Sequence, residues 1–255
     1  MLERIVAHTL QRIEPVIAGE AEWRARARKA APARDFAGAL SSGVPAVIAE
    51  VKRRSPSRGP LAPDLDPSNL ARAYARGGAA AISVLTEPEF FDGSDDDMVA
   101  IRRVVSLPVL RKDFTLHPAQ VWEARAIGAD AVLLIAAVLG DGELGHLVET
   151  AEEAGVAALV EIHDEPEAER ALAAGARVVG VNNRDLATFA VDLATAERLA
   201  PILGGVDVRV AESGIFTQAD AQRMVDAGYH AVLVGESLVR AADPAGAVAA
   251  LRGRR

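Results

Sequence analysis

An acid and a base lie two residues apart at the end of an apolar stretch, A-V-I-A-E-V-K-R-R-S-P-S-R-G, residues 46–59. If this stretch begins as a β-strand, Glu50 and Lys52 project from the same face, because strand side chains alternate. A buried strand has no structural need for either charge, since an ionised group is costly to remove from water. The pair therefore indicates a functional site that presents an acid beside a base, next to a loop that contains hydroxyls, arginine and glycine.

Lysine is scarce in this chain. Of the 28 lysine and arginine residues, only Lys29, Lys52 and Lys112 are lysine. Arginine stays protonated near neutral pH, whereas lysine can release its proton. Lys52 and Lys112 both lie at the ends of apolar stretches and have arginine neighbours that already provide positive charge. We interpret these two lysines as residues required for proton chemistry.

Eight short apolar stretches predict β-strands, and helical patterns separate them. The predicted strands are 46–51, 80–85, 108–112, 131–136, 157–162, 178–182, 207–211 and 231–234. Strands that alternate with helices imply a parallel sheet with right-handed crossovers. Eight such units in about 210 residues match the count and size of a closed (β/α)8 TIM barrel. An open doubly wound sheet is the alternative, although it more often carries a glycine-rich dinucleotide turn after its first strand.

The segment before the first strand predicts an N-terminal helical extension. Apolar residues at helical spacing indicate a helix over 2–17, which Pro15 kinks or ends, and the charged segment 20–34 predicts a solvated helix. No shift in composition and no low-complexity segment marks a further boundary. We therefore expect one domain, 1–255, with the extension at 1–45 and the barrel at 46–255.

Polar side chains follow six of the eight predicted strands, where barrel enzymes carry their catalytic residues. They are Glu50 and Lys52 at the first strand, Lys112 at the third, Glu161 at the fifth, Asn182, Asn183 and Arg184 at the sixth, Glu212 and Ser213 at the seventh, and Ser237 after the eighth. One such residue alone is as well explained by a surface position or a helix cap. Together they predict an active site, with Leu133, Leu134 and Ile135 of the fourth strand as an apolar wall.

The last two predicted strands also indicate a phosphate site. Gly214 and Gly235 follow them directly, so backbone N–H groups there can approach a ligand without an intervening Cβ. Ser213 and Ser237 add hydroxyl donors, and a short helix is predicted to begin at Ser237. A phosphate between these loops and a helix N-terminus is the usual arrangement in barrels of this kind.

Composition and missing motifs exclude several other classes. There is no cysteine, which removes disulfides and thiolate chemistry, and the net charge of −8 argues against a nucleic-acid-binding surface. The longest apolar run, 131–139, is far shorter than the ~20 residues that span a bilayer. Of the five histidines only His163 is near a strand end, and no H-x-x-H or H-E-x-x-H spacing indicates a metal. We expect a cytoplasmic protein that binds neither membrane, nucleic acid nor metal.

The motifs at the strand ends form one ordered series: I-A-E-V-K-R-R-S-P-S, P-V-L-R-K-D-F, G-A-D-A-V-L-L-I, L-V-E-I-H, G-V-N-N-R-D-L, A-E-S-G-I and V-L-V-G-E-S-L-V-R. Over residues 44–244 this series resembles the indole-3-glycerol phosphate synthase family of tryptophan biosynthesis. The resemblance implies closure of 1-(2-carboxyphenylamino)-1-deoxyribulose 5-phosphate to indole-3-glycerol phosphate, with loss of carbon dioxide and water. It implies neither cofactor nor metal.

The resemblance also implies roles for the polar residues. Lys112 protonates the substrate carbonyl as the ring carbon attacks it, and Lys52 binds the substrate carboxylate. Glu161 is the base of the later dehydration, for which either lysine can be the acid. Three further residues orient the lysines and the substrate hydroxyls: Glu50, Glu212 and Asn182.

The binding surfaces follow from the same resemblance. The phosphate is assigned to Ser213, Gly214, Gly235, Ser237 and Arg184, and the anthranilate ring to Pro56, Phe91, Phe114, Leu133 and Leu134. The chain departs from the family where Glu236 follows Gly235, since some members have serine there, and in the sequence of its extension. The expected partner is a phosphorylated small molecule, and the expected assembly is a monomer or a weak homodimer.

Three other interpretations are open at this point. Phosphoribosylanthranilate isomerase is a phosphate-binding barrel with an acid–base pair but without the two lysines. The tryptophan synthase α subunit is another, without E-V-K-R and R-K-D-F. A catalytically silent barrel that binds a ligand or a partner should have lost some ionisable groups at its strand ends, and none is missing here.

Overall fold

The computed structural model describes residues 1–43, 45–186 and 188–253, and its main feature is a closed parallel barrel. The strands are β1 (Ala46–Val51), β2 (Ala81–Leu85), β3 (Val109–Lys112), β4 (Ala131–Ile135), β5 (Ala157–Ile162), β6 (Val178–Asn182), β7 (Val208–Glu212) and β8 (Ala231–Val234). Each pairs in parallel with its neighbours in the chain, and β8 pairs with β1, which closes the sheet. The predicted (β/α)8 barrel is confirmed, and its last two predicted residues, 254–255, lie outside the described ranges.

Helices surround the barrel and precede it. They are α1 (Leu2–Arg12), α2 (Glu14–Ala18), α3 (Glu20–Ala27), α4 (Phe36–Ser41), α5 (Pro67–Gly77), α6 (Pro88–Phe91), α7 (Asp95–Val104), α8 (Pro118–Ile127), α9 (Asp141–Ala154), α10 (Glu165–Ala173), α11 (Ala194–Leu199), α12 (Gln218–Asp226), α13 (Glu236–Val239) and α14 (Pro244–Leu251). A 3-10 helix spans Ala136–Val138, and a short hairpin pairs Arg54–Ser55 with Gly59–Pro60.

Strand boundaries differ from the predicted ones by one residue at several places, and two of these shifts affect the site. The fourth strand ends at Ile135 because Ala136 begins the 3-10 helix. The seventh runs one residue further than predicted, so Glu212 is its last residue and lies opposite Asn182 of β6. Glu212 is therefore held by the sheet itself and not by a loop.

The extension packs on the barrel more closely than its charge indicated. As predicted, the first helix ends before Pro15, which lies in the first turn of α2. The expectation of a solvated helix at 20–34 is wrong for α3, which packs on α8: Ala27 is buried, and the Arg24 guanidinium lies 4.6 Å from the centre of the Trp122 ring. The apolar stems of arginine side chains cover hydrophobic surface while their charged ends remain in solvent.

Hydrogen bonds join the extension to both ends of the barrel. Near the N-terminal ends of the strands, the Arg34 backbone N–H donates to Asp130 Oδ1 at 2.7 Å and its guanidinium to the Leu107 carbonyl at 2.6 Å. At the opposite end, Arg12 Nη2 donates to Asp113 Oδ1, also at 2.7 Å. The α1 helix is thereby fixed beside the C-terminal end of β3.

The α4 helix closes the floor of the barrel. It contacts β1, β2 and β7, and its Phe36 and Leu40 are fully buried in one cluster with inward-facing strand residues such as Ile48 and Leu110. The interior below the strand ends is therefore filled by side chains, as is usual in barrels of this type. Open space remains only at the C-terminal ends of the strands, among the residues described.

Candidate active site

A cavity opens at the C-terminal ends of the barrel strands, where the predicted site residues meet. All of the residues to which the resemblance assigns a role or a contact line it, except Leu134: Glu50, Lys52, Pro56, Phe91, Lys112, Phe114, Leu133, Glu161, Asn182, Arg184, Glu212, Ser213, Gly214, Gly235 and Ser237. These residues come from all eight strands and the segments that follow them. The fold therefore brings together groups that are up to 187 residues apart in the chain, counted from Glu50 to Ser237.

Leu134 is the one predicted contact that the structure places elsewhere. Side chains alternate along β4, so Leu133 and Ile135 face the cavity while Leu134 faces the surrounding helices and is fully buried there. The assignment of Leu134 to the ring-binding wall is wrong. Ile135 takes that position instead.

Lys112 is the centre of the polar site. Its Nζ lies 2.7 Å from Glu161 Oε2 and 2.8 Å from Glu212 Oε2. The three side chains come from β3, β5 and β7, and alternate strands of a barrel place their inward side chains in one layer. Because all three are largely buried, the interactions are poorly screened by water.

The two carboxylates beside Lys112 differ in protonation. Burial, reinforced by the charges of Glu161 and Glu50 and only partly offset by Lys112, raises the pKa of Glu212 to about 7. Burial also tends to raise the pKa of Glu161. The charges of Lys112 and His163 and the hydrogen bonds from Lys112 and Asn182 outweigh burial and lower this pKa to about 2. At neutral pH Glu161 is ionised, while Glu212 carries a proton part of the time.

Lys112 itself remains an ammonium ion. Burial lowers its pKa, but the charges of Glu161, Glu212 and Glu50 more than compensate, and the pKa lies above its ordinary value. Pairs of titratable groups whose pKa values are pushed apart are typical of acid–base sites. The cluster thus contains a protonated lysine, an ionised carboxylate and a carboxyl group that titrates near neutrality.

Lys52 and Glu50 form a second ion pair at the end of β1. The Tyr74 hydroxyl donates to the Glu50 backbone carbonyl at 3.2 Å, which fixes the end of β1. Gly235 leaves room for this pair, because a Cβ there would lie 3.2 Å from Lys52 Nζ. Lys52 has one carboxylate partner where Lys112 has two, and it is the more exposed of the two ammonium groups.

The two adjacent asparagines at the end of β6 have different roles. Asn182 faces the cavity, where its Nδ2 donates to Glu161 Oε1 at 3.0 Å and its Oδ1 accepts from the Arg184 N–H at 3.1 Å. Asn183 is buried behind it and donates to the carbonyls of Glu212 and Ser213 at 3.0 and 3.2 Å. Asn183 therefore stabilises the turn after β7, and Asn182 is the member of the pair that lines the site.

Four of the five predicted phosphate-binding residues lie at the ends of β7 and β8, and the fifth, Arg184, follows β6. Ser213 and Gly214 both have positive φ, 63° and 79°, and form the turn after β7. The helix after β8 begins at Glu236, one residue before the predicted start, so Ser237 lies in its first turn. The Ser237 hydroxyl oxygen is buried and has no hydrogen-bond partner among the described residues, which leaves it available to a ligand.

Several cavity residues were not predicted. Met1, Leu2 and Ile5 of α1 cover one side, and Leu186, Phe189, Ile215 and Phe216 extend the apolar wall near the phosphate end. The helical stripe of α1 was visible in the sequence, but its position over the barrel was not. Leu186, Phe189, Ile215 and Phe216 come soon after predicted site residues in the chain. This closeness in sequence was the one indication that they could line the cavity.

Gly180 is another position that sequence inspection missed. It is an inward-facing residue of β6, and a Cβ there would lie 3.3 Å from Glu212 Cδ and 3.2 Å from Leu159 Cδ1. Real Cβ atoms rarely approach other atoms so closely, so the glycine provides the space that the Glu212 carboxylate occupies beside Lys112.

Neither a metal-binding cluster nor a membrane-spanning helix is found within the described ranges. No group of three or more His, Cys, Asp or Glu side chains there is arranged to hold a metal ion. No helix in this part of the chain is long and apolar enough to cross a membrane.

Solved structures similar to this chain share its fold at low sequence identity. A 3-hexulose-6-phosphate synthase superposes with a TM-score of 0.64 at 20% identity, covering 82% of this chain and 98% of that one. A thiamine phosphate pyrophosphorylase from Pyrococcus furiosus gives a TM-score of 0.62 at 20% identity, covering 84% and 96%. At this identity the likeness supports the barrel fold alone.

Sequence relatives are far more similar. Indole-3-glycerol phosphate synthase of a Nocardioides species is 54% identical over 91% of this chain and 90% of its own length. The proteins of that name from Carboxydothermus hydrogenoformans and Mycolicibacterium smegmatis are 52% and 54% identical over 83% and 90% of this chain, and 80% and 85% of their own lengths. The family model for indole-3-glycerol phosphate synthase matches residues 2–251. This chain therefore belongs to the indole-3-glycerol phosphate synthase family.

Proposed function

We propose that this chain converts 1-(2-carboxyphenylamino)-1-deoxyribulose 5-phosphate to indole-3-glycerol phosphate in tryptophan biosynthesis, with Lys112 as the general acid of ring closure. The observation that carries the proposal is the buried Lys112 ammonium between two carboxylates of different protonation. Membership of the family supports the choice of reaction. The cytoplasmic location and the monomeric or weakly dimeric assembly stay predictions.

Ring closure begins when the anthranilate carbon that bears the carboxylate attacks the C2 carbonyl carbon. A carbon–carbon bond forms, and the carbonyl oxygen gains negative charge. Lys112, held at the centre of the cavity, donates a proton to this oxygen, because an alkoxide is a stronger base than an amine. Its ion pairs with β5 and β7 fix the ammonium where the oxygen charge develops.

Lys52 is proposed to bind the substrate carboxylate. It lines the cavity at the end of β1 and has a single carboxylate partner, Glu50. Lys52 therefore gives up at most one ion pair when it binds the substrate carboxylate, whereas Lys112 would give up two. Once the new bond is formed, this carboxylate leaves as carbon dioxide and its bonding electrons restore the aromatic ring.

Glu161 is proposed as the base of the dehydration step. The C2 hydroxyl receives a proton from a lysine ammonium, either Lys52 or Lys112 after it has regained a proton from solvent, and leaves as water. A further proton is lost from the ring system to a base. Glu161 is ionised at neutral pH, as a base must be, and Asn182 orients its carboxylate. Since Glu212 also accepts a hydrogen bond from Lys112, this lysine can stay bound at Glu212 while Glu161 Oε2 takes up the proton.

The remaining cavity residues are proposed to hold the two ends of the substrate. The phosphate is assigned to Ser213, Gly214, Gly235 and Ser237, with Arg184 at the edge, and the buried unpaired Ser237 hydroxyl supports this assignment. The aromatic ring is assigned to the apolar wall, which consists of Pro56, Phe91, Phe114, Leu133 and Ile135.

The reaction can be followed directly, because the product contains an indole ring and the substrate does not. Adding the carboxyphenylamino-deoxyribulose phosphate to the purified protein is expected to give a time-dependent rise in indole fluorescence and one carbon dioxide per product. A barrel that only binds a ligand would give a saturable binding signal without carbon dioxide release, and that result would exclude the proposal.

We expect Lys52→Arg to raise KM by at least about tenfold and to lower kcat, although the positive charge is kept. The planar guanidinium is larger than an ammonium and cannot act as a proton donor near neutral pH. It also has to fit beside Glu50 and Gly235, where space is limited. Steady-state kinetics measures the effect. Arg54→Lys, an exchange between the same two residue types outside the cavity wall, is the matched control. Full activity of Lys52→Arg would refute the role of the compact ammonium.

Gly180→Ala is expected to lower kcat by about tenfold or more, a change of ~1.4 kcal/mol in the activation barrier. The added methyl group displaces the Glu212 carboxylate and weakens its contact with Lys112. Gly142→Ala, at a helical position where a Cβ meets no atom within 4 Å, is the control. Wild-type kcat in a correctly folded Gly180→Ala protein would show that the position of Glu212 is not required.

A further inference from the structure

His163 lies directly behind the proposed base and outside the cavity wall. It follows β5, its side chain is largely buried, and its Nε2 lies 3.6 Å from Glu161 Oε1. On the other side its Nδ1 lies 3.1 Å from Glu167 Oε2, which also accepts the His163 backbone N–H at 2.7 Å. The imidazole is therefore held between one carboxylate of the site and one from α10.

A neutral imidazole cannot donate to both of these carboxylates. It carries one N–H, so if Nδ1 donates to Glu167, the lone pair of Nε2 faces an oxygen of Glu161. Nε2 is buried and has no hydrogen-bond partner in the described part of the chain, so the unfavourable contact is not relieved elsewhere. Only the doubly protonated ring presents an N–H to each carboxylate.

The charges around the ring favour the same state. Burial lowers the pKa of His163, but Glu167, Glu161 and, at longer range, Glu212 outweigh it and raise the pKa above its ordinary value. Lys112 contacts Oε2 of Glu161, whereas His163 lies beside Oε1. Three acidic groups thus face the imidazole from β5, α10 and β7.

We propose that His163 is a positioning residue whose imidazolium fixes Oε1 of Glu161 and keeps this carboxylate ionised until it takes up the proton of the dehydration step. The inference rests on the proposed role of Glu161 as a base. Lys112 holds Oε2 of Glu161, but its positive charge is lost when it protonates the substrate oxygen. His163 then remains beside Oε1, together with Asn182, and compensates the negative charge at that moment.

Nuclear magnetic resonance of histidine-labelled protein tests the contact without reference to activity. In the wild-type chain we expect the His163 ring to titrate above the ordinary histidine pKa of about 6.5. In Glu161→Gln, which removes one of its two flanking charges, the titration should move to lower pH. A ring that titrates at or below the ordinary value, or that is unchanged in Glu161→Gln, would overturn the proposal.

Kinetics then tests the consequence for the base. In His163→Asn the acidic limb of the kcat profile is expected to move to higher pH by at least about half a unit, because an uncompensated Glu161 binds its proton more tightly. KM should change little, since the ring does not line the cavity. Glu167→Gln, which weakens the imidazolium from its other side, should move the limb in the same direction by less.

A purely structural role of His163 would give a different result. The thermal unfolding temperature of His163→Asn would fall while the acidic limb stayed in place, and this outcome would refute the inference. The proposed function can fail independently of this inference. A wild-type protein that releases no carbon dioxide would refute the function, whereas the resonance titration would still test the His163 contact. Should His163→Asn fail to fold, the titrations of wild-type and Glu161→Gln protein still decide the question.

Discussion

Lys112→Ala is expected to lower kcat by about 10³-fold to 10⁴-fold, at the upper end of what removal of a general acid costs. The methyl side chain leaves the developing oxygen charge without a proton donor. The other ammonium in the cavity, Lys52, is paired with Glu50 and is proposed to bind the substrate carboxylate. No other residue that lines the cavity is a lysine.

Single-turnover fluorescence and a separate binding titration with the product measure the two parts of this prediction. Binding should survive, because the phosphate and ring contacts are made by other residues. Lys29→Ala removes the third lysine of the chain, which is exposed in the extension, and is the matched control with wild-type kinetics. Near-normal kcat in Lys112→Ala would exclude Lys112 as the acid.

Glu161→Gln is the second change with a large expected effect, about 10²-fold to 10⁴-fold in kcat. The amide keeps the shape of the side chain and can still accept a hydrogen bond from Lys112, but it cannot take up a proton. Glu212→Gln should cost at least about tenfold less near pH 7, because Glu212 is already protonated for part of the time and the amide resembles that state.

The pH dependence of the two variants separates their roles. The difference between wild-type and Glu212→Gln should grow as the pH rises above about 7, where Glu212 becomes fully ionised in the wild-type chain. The defect of Glu161→Gln should persist across the neutral range, since Glu161 is ionised throughout it. Equal losses in the two variants at every pH would contradict the assignment of Glu161 as the base.

The barrel and most of its site were predictable because they depend on local periodicity. Short apolar stretches at regular spacing specify the strands, and parallel strands in a barrel present their ends at one face. Residues such as Glu161 and Glu212 could then be placed in one cavity although 51 positions separate them. Leu134 was assigned to the cavity because it lies near the end of its strand. Side chains alternate along a strand, and Ile135 faces the cavity instead.

Contacts that depend on distant parts of the chain were not predictable. The α1 helix reaches the cavity because Arg12 binds Asp113, a residue 101 positions away, and no local pattern encodes this pairing. His163 was visible near a strand end, and its contacts are with residues only two and four positions away, but the geometry of the turn from β5 into α10 that brings Glu161 and Glu167 to its two sides was not predicted. Gly180 could not be identified either, because its importance lies in the atoms that face it across the barrel.

The closed floor of the barrel determines how molecules move through the enzyme. Because Phe36 and Leu40 seal the end opposite the cavity, indole-3-glycerol phosphate and carbon dioxide must leave by the opening through which the next substrate enters. Departure and entry therefore compete for one passage, bordered by Pro56 and the half-exposed Phe216. However fast the proton transfers proposed for Lys112 and Glu161 are, the turnover rate of the enzyme cannot exceed the rate at which product leaves through this passage.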